Sequence, residues 1–261
     1  MAHTIFENKV IEAKATDLLT TSINARNLMT IDNSLAEAEG MTKVINVYTY
    51  TGEVEKLEDG AKNSGRGALS FIPHEYKVQR CQHTFGYTDS QYMTDNNVVD
   101  MSLKYGNDKM TNAMTADFYA ECAKASKSET LGENGVISYD VIVDAISKVG
   151  LENETKLFVV IPNKWKADLR KDADYKNAHM GEVIYGGQVG TIAGIPVIAT
   201  KALDSEEVAY VMTNEAVKLF MKKDVEVEQD RDVETKTNTI VLTTYYICAL
   251  ADDSKICKIS V

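Results

Sequence analysis

Four histidines and four cysteines are the side chains from which a catalytic or metal site would have to be built. His3, His74, His83 and His179 stand far apart, and none falls in an HExxH or HxH arrangement. Cys81, Cys122, Cys248 and Cys257 form no CxxC pair, so neither a zinc knuckle nor a disulfide framework is indicated, and the four read as reduced, packed thiols. Cys81 and His83 are two positions apart, which on a strand places both on one face. Two ligands do not complete a tetrahedral metal site, and no orienting group completes a nucleophile–base pair. The expectation is a chain that is not an enzyme and takes no metal or cofactor.

Two further segments invite chemistry. Gly186-Gly187-Gln188-Val189-Gly190-Thr191-Ile192-Ala193-Gly194 has the glycines of a phosphate loop, but it leads into the apolar strand Ile195-Pro196-Val197-Ile198. A phosphate loop must instead open a helix, so a turn and close-packing role is expected. The stretch Asp224 to Glu234 carries six acids in eleven residues around Arg231, without the tight loop and fixed glycine of a calcium site. Two readings of Arg231 stand side by side: neutralisation by neighbours on an exposed strand, or a bidentate ion pair across a subunit boundary.

The elements that must position these residues are those of a mixed α+β chain. Residues 8–29 set Ile11, Ala15, Leu18, Leu19, Ser22 and Ile23 on one helical face, and the Thr20-Thr21-Ser22 run weakens that helix enough that it needs a surface to dock on. Val44 to Thr51 and Ser70 to Val78 read as a strand pair joined by a long polar tip with glycines from Gly52 to Gly67. Such a ribbon builds no core of its own and should lie on another surface, including that of a neighbouring subunit. A helix of about 30 residues, about 45 Å long, is expected from Thr94 to Lys124, with a bend or restart at Gly106-Asn107-Asp108. Ser138 caps a helix closed by Gly150, and Leu157 to Ile161 is a buried strand ending at Pro162, after which Asn163 caps a short helix. Further strands cover Ile195–Ala199, Val208–Met212, Val225–Glu228, much of Thr235–Leu250 and Ile256–Ile259.

Composition bounds the partners. The 261 residues carry 28 basic and 39 acidic side chains, a net charge of −11, which repels nucleic acid unless a local basic face overrides it. No basic run, no apolar run of membrane-spanning length and no basic-then-apolar leader occurs, which predicts a chain made in the cytosol with no membrane partner.

Three segments together resemble the second half of a tailed-bacteriophage major capsid protein of the Hong Kong 97 fold: Leu157-Phe158-Val159-Val160-Ile161-Pro162-Asn163, Gly190-Thr191-Ile192-Ala193-Gly194-Ile195-Pro196-Val197-Ile198, and Val225-Glu226-Val227-Glu228-Gln229-Asp230-Arg231-Asp232. Their order and spacing match, with Pro162-Asn163 inverting the family's Asn-Pro-like strand end. The first half is similar by architecture alone.

The resemblance implies an N-terminal arm (1–43), an extended two-stranded loop (44–86), a spine-helix peripheral domain (87–137), an axial domain (138–222), and peripheral strands (223–261) whose end can return to the axial domain. It implies a structural head protein that self-assembles through hexamers and pentamers into an icosahedral shell around phage double-stranded DNA. Assembly would take place in the host bacterial cytoplasm, and the product is the virion capsid. A separate scaffolding protein, a portal and head-completion proteins are the implied partners, because the chain has no charged helical prefix. Candidate interface residues are Glu55, Lys56, Lys62 and Arg66 at the ribbon tip, and Arg231 with Asp232. Some members crosslink through a loop lysine and an asparagine; no partner asparagine matches Lys56 or Lys62, so no isopeptide bond is expected. An encapsulin-type compartment shares the fold and is the nearest alternative, and a small soluble enzyme using Cys81 and His83 is a distant one.

Overall fold

The computed structural model describes residues 25–62, 65, 67–132, 135–178 and 190–260. The chain runs through strand β1 (Thr30–Asp32), the pair β2 (Thr42–Thr51) and β3 (Ala68–Lys77), β4 (Gln79–Thr88), a short helix α1 (Asp89–Thr94) and the long helix α2 (Val98–Cys122). Then come β5 (Ser128–Thr130), α3 (Tyr139–Val149), β6 (Leu157–Pro162), α4 (Lys166–Lys171) and α5 (Ala173–Ala178). Strands β7 (Thr191–Ile192), β8 (Ile195–Thr200), β9 (Ala209–Thr213), β10 (Val217–Asp232), β11 (Thr237–Leu250) and β12 (Ile256–Ser260) follow. The expected N-terminal helix lies outside the described residues except for its end, where Ala25–Leu28 is a 3-10 turn.

Among the described residues, one sheet has the order β1-β10-β11-β4 and is covered by α2. The stripe Val99, Leu103, Met110, Met114, Phe118 and Cys122 is buried against Val225, Val227, Ile240, Leu242 and Tyr246. The expected break at Gly106-Asn107-Asp108 does not occur, and α2 runs straight through it. Gly106 is there for close packing: a β-carbon on it would stand 2.8 Å from His83 Cδ2 and 3.3 Å from Leu242 Cδ1.

The second sheet has the order β5-β12-β9-β6-β8-β7. On one face α3 lays Ile142, Ala145 and Val149 against Val159, Ile161, Val211 and Ile259. On the other face Phe158, Val160, Tyr210 and Met212 join the core beneath α2. Strand β6 is therefore buried on both sides, which is why its sequence is continuously apolar. Helix α3 keeps its expected ends, with Val141 N–H donating to Ser138 Oγ and Gly150 closing it at φ +69°.

Two expected boundaries shift. Residues 79–86 do not belong to the ribbon, because β4 pairs with β11 from Thr88↔Thr237 to Gln79↔Tyr246. Its alternation turns Cys81, His83, Phe85 and Tyr87 inward, while Arg80, Gln82, Thr84 and Gly86 face out. Residues 217–222, expected in the axial domain, open β10 of the first sheet. The last strand lies in the second sheet, where β12 pairs with β9 and β5.

Candidate assembly surface

Among the described residues, strands β2 and β3 form a two-stranded sheet of their own, in a register running from Thr42↔Lys77 to Thr51↔Ala68. At the root, Ile45 and Tyr76 pack against Leu35, Phe220, Ile247 and Ala249 on the face of the first sheet turned away from α2. Lys43 Nζ lies 5.1 Å from the centre of the Phe220 ring, and Lys124 Nζ 5.7 Å from that of Tyr76. These cation–aromatic contacts add to the packing at the ribbon's root.

Beyond the root the ribbon is apolar and uncovered on both faces. The register puts Tyr48, Phe71, Tyr50 and Leu69 on one face, with the Tyr48 and Phe71 rings 6.1 Å apart, and Val47 with Ile72 on the other. Tyr48 is 61% exposed, Tyr50 66%, Leu69 62%, Phe71 59% and Ile72 62%. A two-stranded ribbon is marginal in water, and a contiguous apolar patch of this kind marks a contact surface. Sequence reasoning placed these residues on strands, except Leu69 just before the expected start at Ser70, but did not single them out; the signal was present in strand-forming apolar residues on both phases of the alternation.

At the outer end the Tyr50 ring crosses Gly52 and Gly67, where a β-carbon on Gly52 would stand 2.8 Å from Gly67 Cα. Glu55 is half-buried beside Gly65, Lys56 and Lys62 are exposed, and Arg66 lies outside the described residues.

Arg231 and Asp232 meet at the far end of the β10–β11 hairpin, but both serve the subunit's own fold. Arg231 Nη2 donates to Asp89 Oδ2 at 2.9 Å, and Asn238 Nδ2 donates to Asp89 Oδ1 at 2.9 Å. The Asp89 backbone N–H donates to Lys236 O at 3.1 Å, so the start of α1 is tied three times to the hairpin. This ion pair is made within the chain, because Arg231 and Asn238 are cross-strand partners beside the end of β4. Asp232 accepts from Glu234 N–H and Thr235 Oγ1, and the bond from Thr235 holds its carboxyl below the ordinary aspartate value.

The segments with catalytic-looking residues do structural work. Cys81 and His83 share a face as expected, but that face packs on α2. Burial pushes the thiols of Cys81, Cys122, Cys248 and Cys257 above their ordinary value, which suppresses the nucleophilic thiolate. Ala193 and Gly194, at φ 51° and 82°, form the two-residue turn between β7 and β8. Gly186–Val189 lie outside the described residues. Among the described residues no group of three or more His, Cys, Asp or Glu side chains could hold a metal ion, and no helix is long and apolar enough to cross a membrane.

No family model matches the chain. The major capsid protein of Staphylococcus phage phiMR11 is 24% identical over 240 residues, covering 88% of this chain and 84% of that protein. Among solved structures, the capsid of an empty GTA particle superposes with a TM-score of 0.72 at 14% identity, covering 92% of this chain and 96% of the other. The capsid of cyanophage P-SCSP1u gives 0.70 at 11%, covering 89% and 86%.

Proposed function

We propose that this chain, which has the Hong Kong 97-type capsid fold, is a major capsid protein: a structural, non-enzymatic subunit that assembles with its own copies into an icosahedral phage head. The observation that carries the reading is the ribbon of β2 and β3, whose apolar faces stand exposed on the subunit. In a shell that molecule is a neighbouring subunit, and many repeated weak contacts add up to a strong closed particle.

In this reading the ribbon is the extended loop, the sheet under α2 is the peripheral domain, and the sheet under α3 is the axial domain that gathers around five-fold and six-fold axes. The shell encloses double-stranded DNA without reading its sequence, and a net charge of −11 per subunit keeps the packaged polyanion from adhering to the wall. A separate scaffolding protein, a portal and head-completion proteins act with it, assembly takes place in the host bacterial cytoplasm, and the finished protein resides in the virion. Glu55, Lys56, Lys62 and Arg66 at the ribbon tip contribute polar contacts to the neighbour, whereas Arg231 and Asp232 brace the peripheral hairpin.

Negative-stain imaging of the concentrated protein, or of its source particle, tests this. Closed angular shells containing DNA support it; monodisperse small particles overturn it, and shells holding a cargo protein in place of DNA assign the chain to an encapsulin-type compartment.

A further inference from the structure

The ribbon of β2 and β3 has two outer edges, and one residue makes them unequal. Pro73 stands opposite Asn46 in the middle of the ladder, and the register runs through this pair without a shift. Proline has no N–H to share, so Asn46↔Pro73 is a pair without hydrogen bonds of its own. The bonds that join the strands run instead through Ile45↔His74 and Val47↔Ile72 on either side. The alternate residues of β2, Val44, Asn46, Tyr48 and Tyr50, therefore turn their N–H and C=O groups away from β3, at a spacing of about 7 Å. Among the described residues no strand pairs with that edge. On β3 the outward row is Leu69, Phe71, Pro73 and Glu75, and it is interrupted by the missing donor of Pro73. Charge and proline are the means by which proteins keep a sheet edge from recruiting another strand. The outward row of β3 carries both, whereas residues 44–51 of β2 carry neither.

We infer that the outer edge of β2, and not that of β3, accepts an extended segment from a second copy of this chain, which adds a third strand to the ribbon. This pairing presupposes the capsid reading and locates the neighbour's backbone on the ribbon. Two observations point to a second copy. The edge is continuous with the candidate assembly surface, since Tyr48 and Tyr50 supply both outward backbone groups and exposed side chains. In a chain of net charge −11, the eight residues from Val44 to Thr51 hold no charge, so two copies can close on this edge without like-charge repulsion there. Backbone hydrogen bonds along the added strand supply affinity, and the tyrosines at alternate positions pack on its side chains.

Two variants at one position of the full-length chain test this. Asn46→Pro removes an outward N–H while leaving the bonds to β3 in place, because its partner is Pro73. Asn46→Ala removes the side chain and keeps the N–H. Assembly is followed by light scattering, and thermal melts establish that each subunit folds. Asn46→Ala should assemble as the parent does and Asn46→Pro about tenfold less, the upper end for one lost hydrogen bond. Equal assembly by Asn46→Pro and parent, or equal loss in both variants, overturns the inference. Should Asn46→Pro fail to fold, the parent chain decides by hydrogen exchange read amide by amide. Exchange should slow about tenfold or more in the assembled particle relative to the free subunit at Val44, Asn46, Tyr48 and Tyr50, and not at Leu69, Phe71 and Glu75. Slowing on the β3 row, or none on the β2 row, overturns it. A parent that forms shells while these readouts fail removes this pairing and leaves the capsid reading standing; a parent that stays monomeric removes both.

Discussion

The imidazole of His83 lies against Gly106, where no side chain larger than hydrogen fits on α2 without moving it. Glycine in a helix interior ordinarily costs about 1 kcal/mol relative to alanine. Here the cost is offset by the closeness it allows between α2 and β4. Gly106→Ala is expected to lower stability by about 1 kcal/mol net, an overpacking cost of about 1–3 kcal/mol less that helix gain. In a chain this long the shift in thermal midpoint is about 2–4 °C. The pair Gly106→Ala, His83→Ala should recover part of the loss, and a double-mutant cycle by thermal denaturation measures the coupling.

The ribbon separates folding from assembly. Phe71→Ser and Ile72→Ser strike opposite faces at exposed positions, so each should change subunit stability by less than about 0.5 kcal/mol while reducing shell formation severely. Light scattering under assembly conditions, alongside thermal melts, reads both. Equal assembly by variants and parent would remove the ribbon from the interface.

Arg231 holds Asp89 from within the subunit, with the guanidinium 33% exposed and the carboxylate 16%. Arg231→Ala should cost about 1–2 kcal/mol, the range for a hydrogen bond to a charged partner discounted for partial exposure. Hydrogen exchange should quicken at α1 and the β10–β11 turn, and not in the second sheet. Quickening in the second sheet, or nowhere, would contradict this local role.

Acid should weaken the ties that Glu215 and Glu129 make to their lysines. Lys255, with Lys156, holds the Glu215 carboxyl below its ordinary value, and Lys148 does the same for Glu129. For a depressed carboxyl the stabilisation is complete above the ordinary glutamate value of 4.5 and is lost as the pH falls through the lower folded value. The thermal midpoint should therefore be level from about pH 5 to 8 and drop below pH 4.5, and Glu215→Gln should flatten that drop. An unchanged acid limb in the variant would dismiss Glu215 as its source.

What could be read from the sequence was what is local. The stripe from Val99 to Cys122, the caps Ser138 and Gly150, and the unbroken apolar run of β6 each record their environment within a few turns or one strand. What escaped was pairing at a distance. The inward alternation of β4 was present in the letters, but its partner β11 begins about 150 residues further on, so the strand was assigned to the nearer ribbon. Arg231 finds Asp89 across 142 positions, and nothing in the acidic stretch announces that partner. Gly106 looked like an interruption because its reason, the His83 ring, stands on another element.

Strands β9 and β12 lie side by side in the second sheet, yet the chain between them travels out along β10 and back along β11. The β10–β11 hairpin is thus a loop of continuous backbone whose two feet stand on adjacent strands of the second sheet. A pull on its far end would be carried along both strands and through the short connections at 214–216 and 251–255 into that sheet. A wall tiled from such pieces would resist outward pressure as a stretched membrane does, sharing the load across both bodies of every tile.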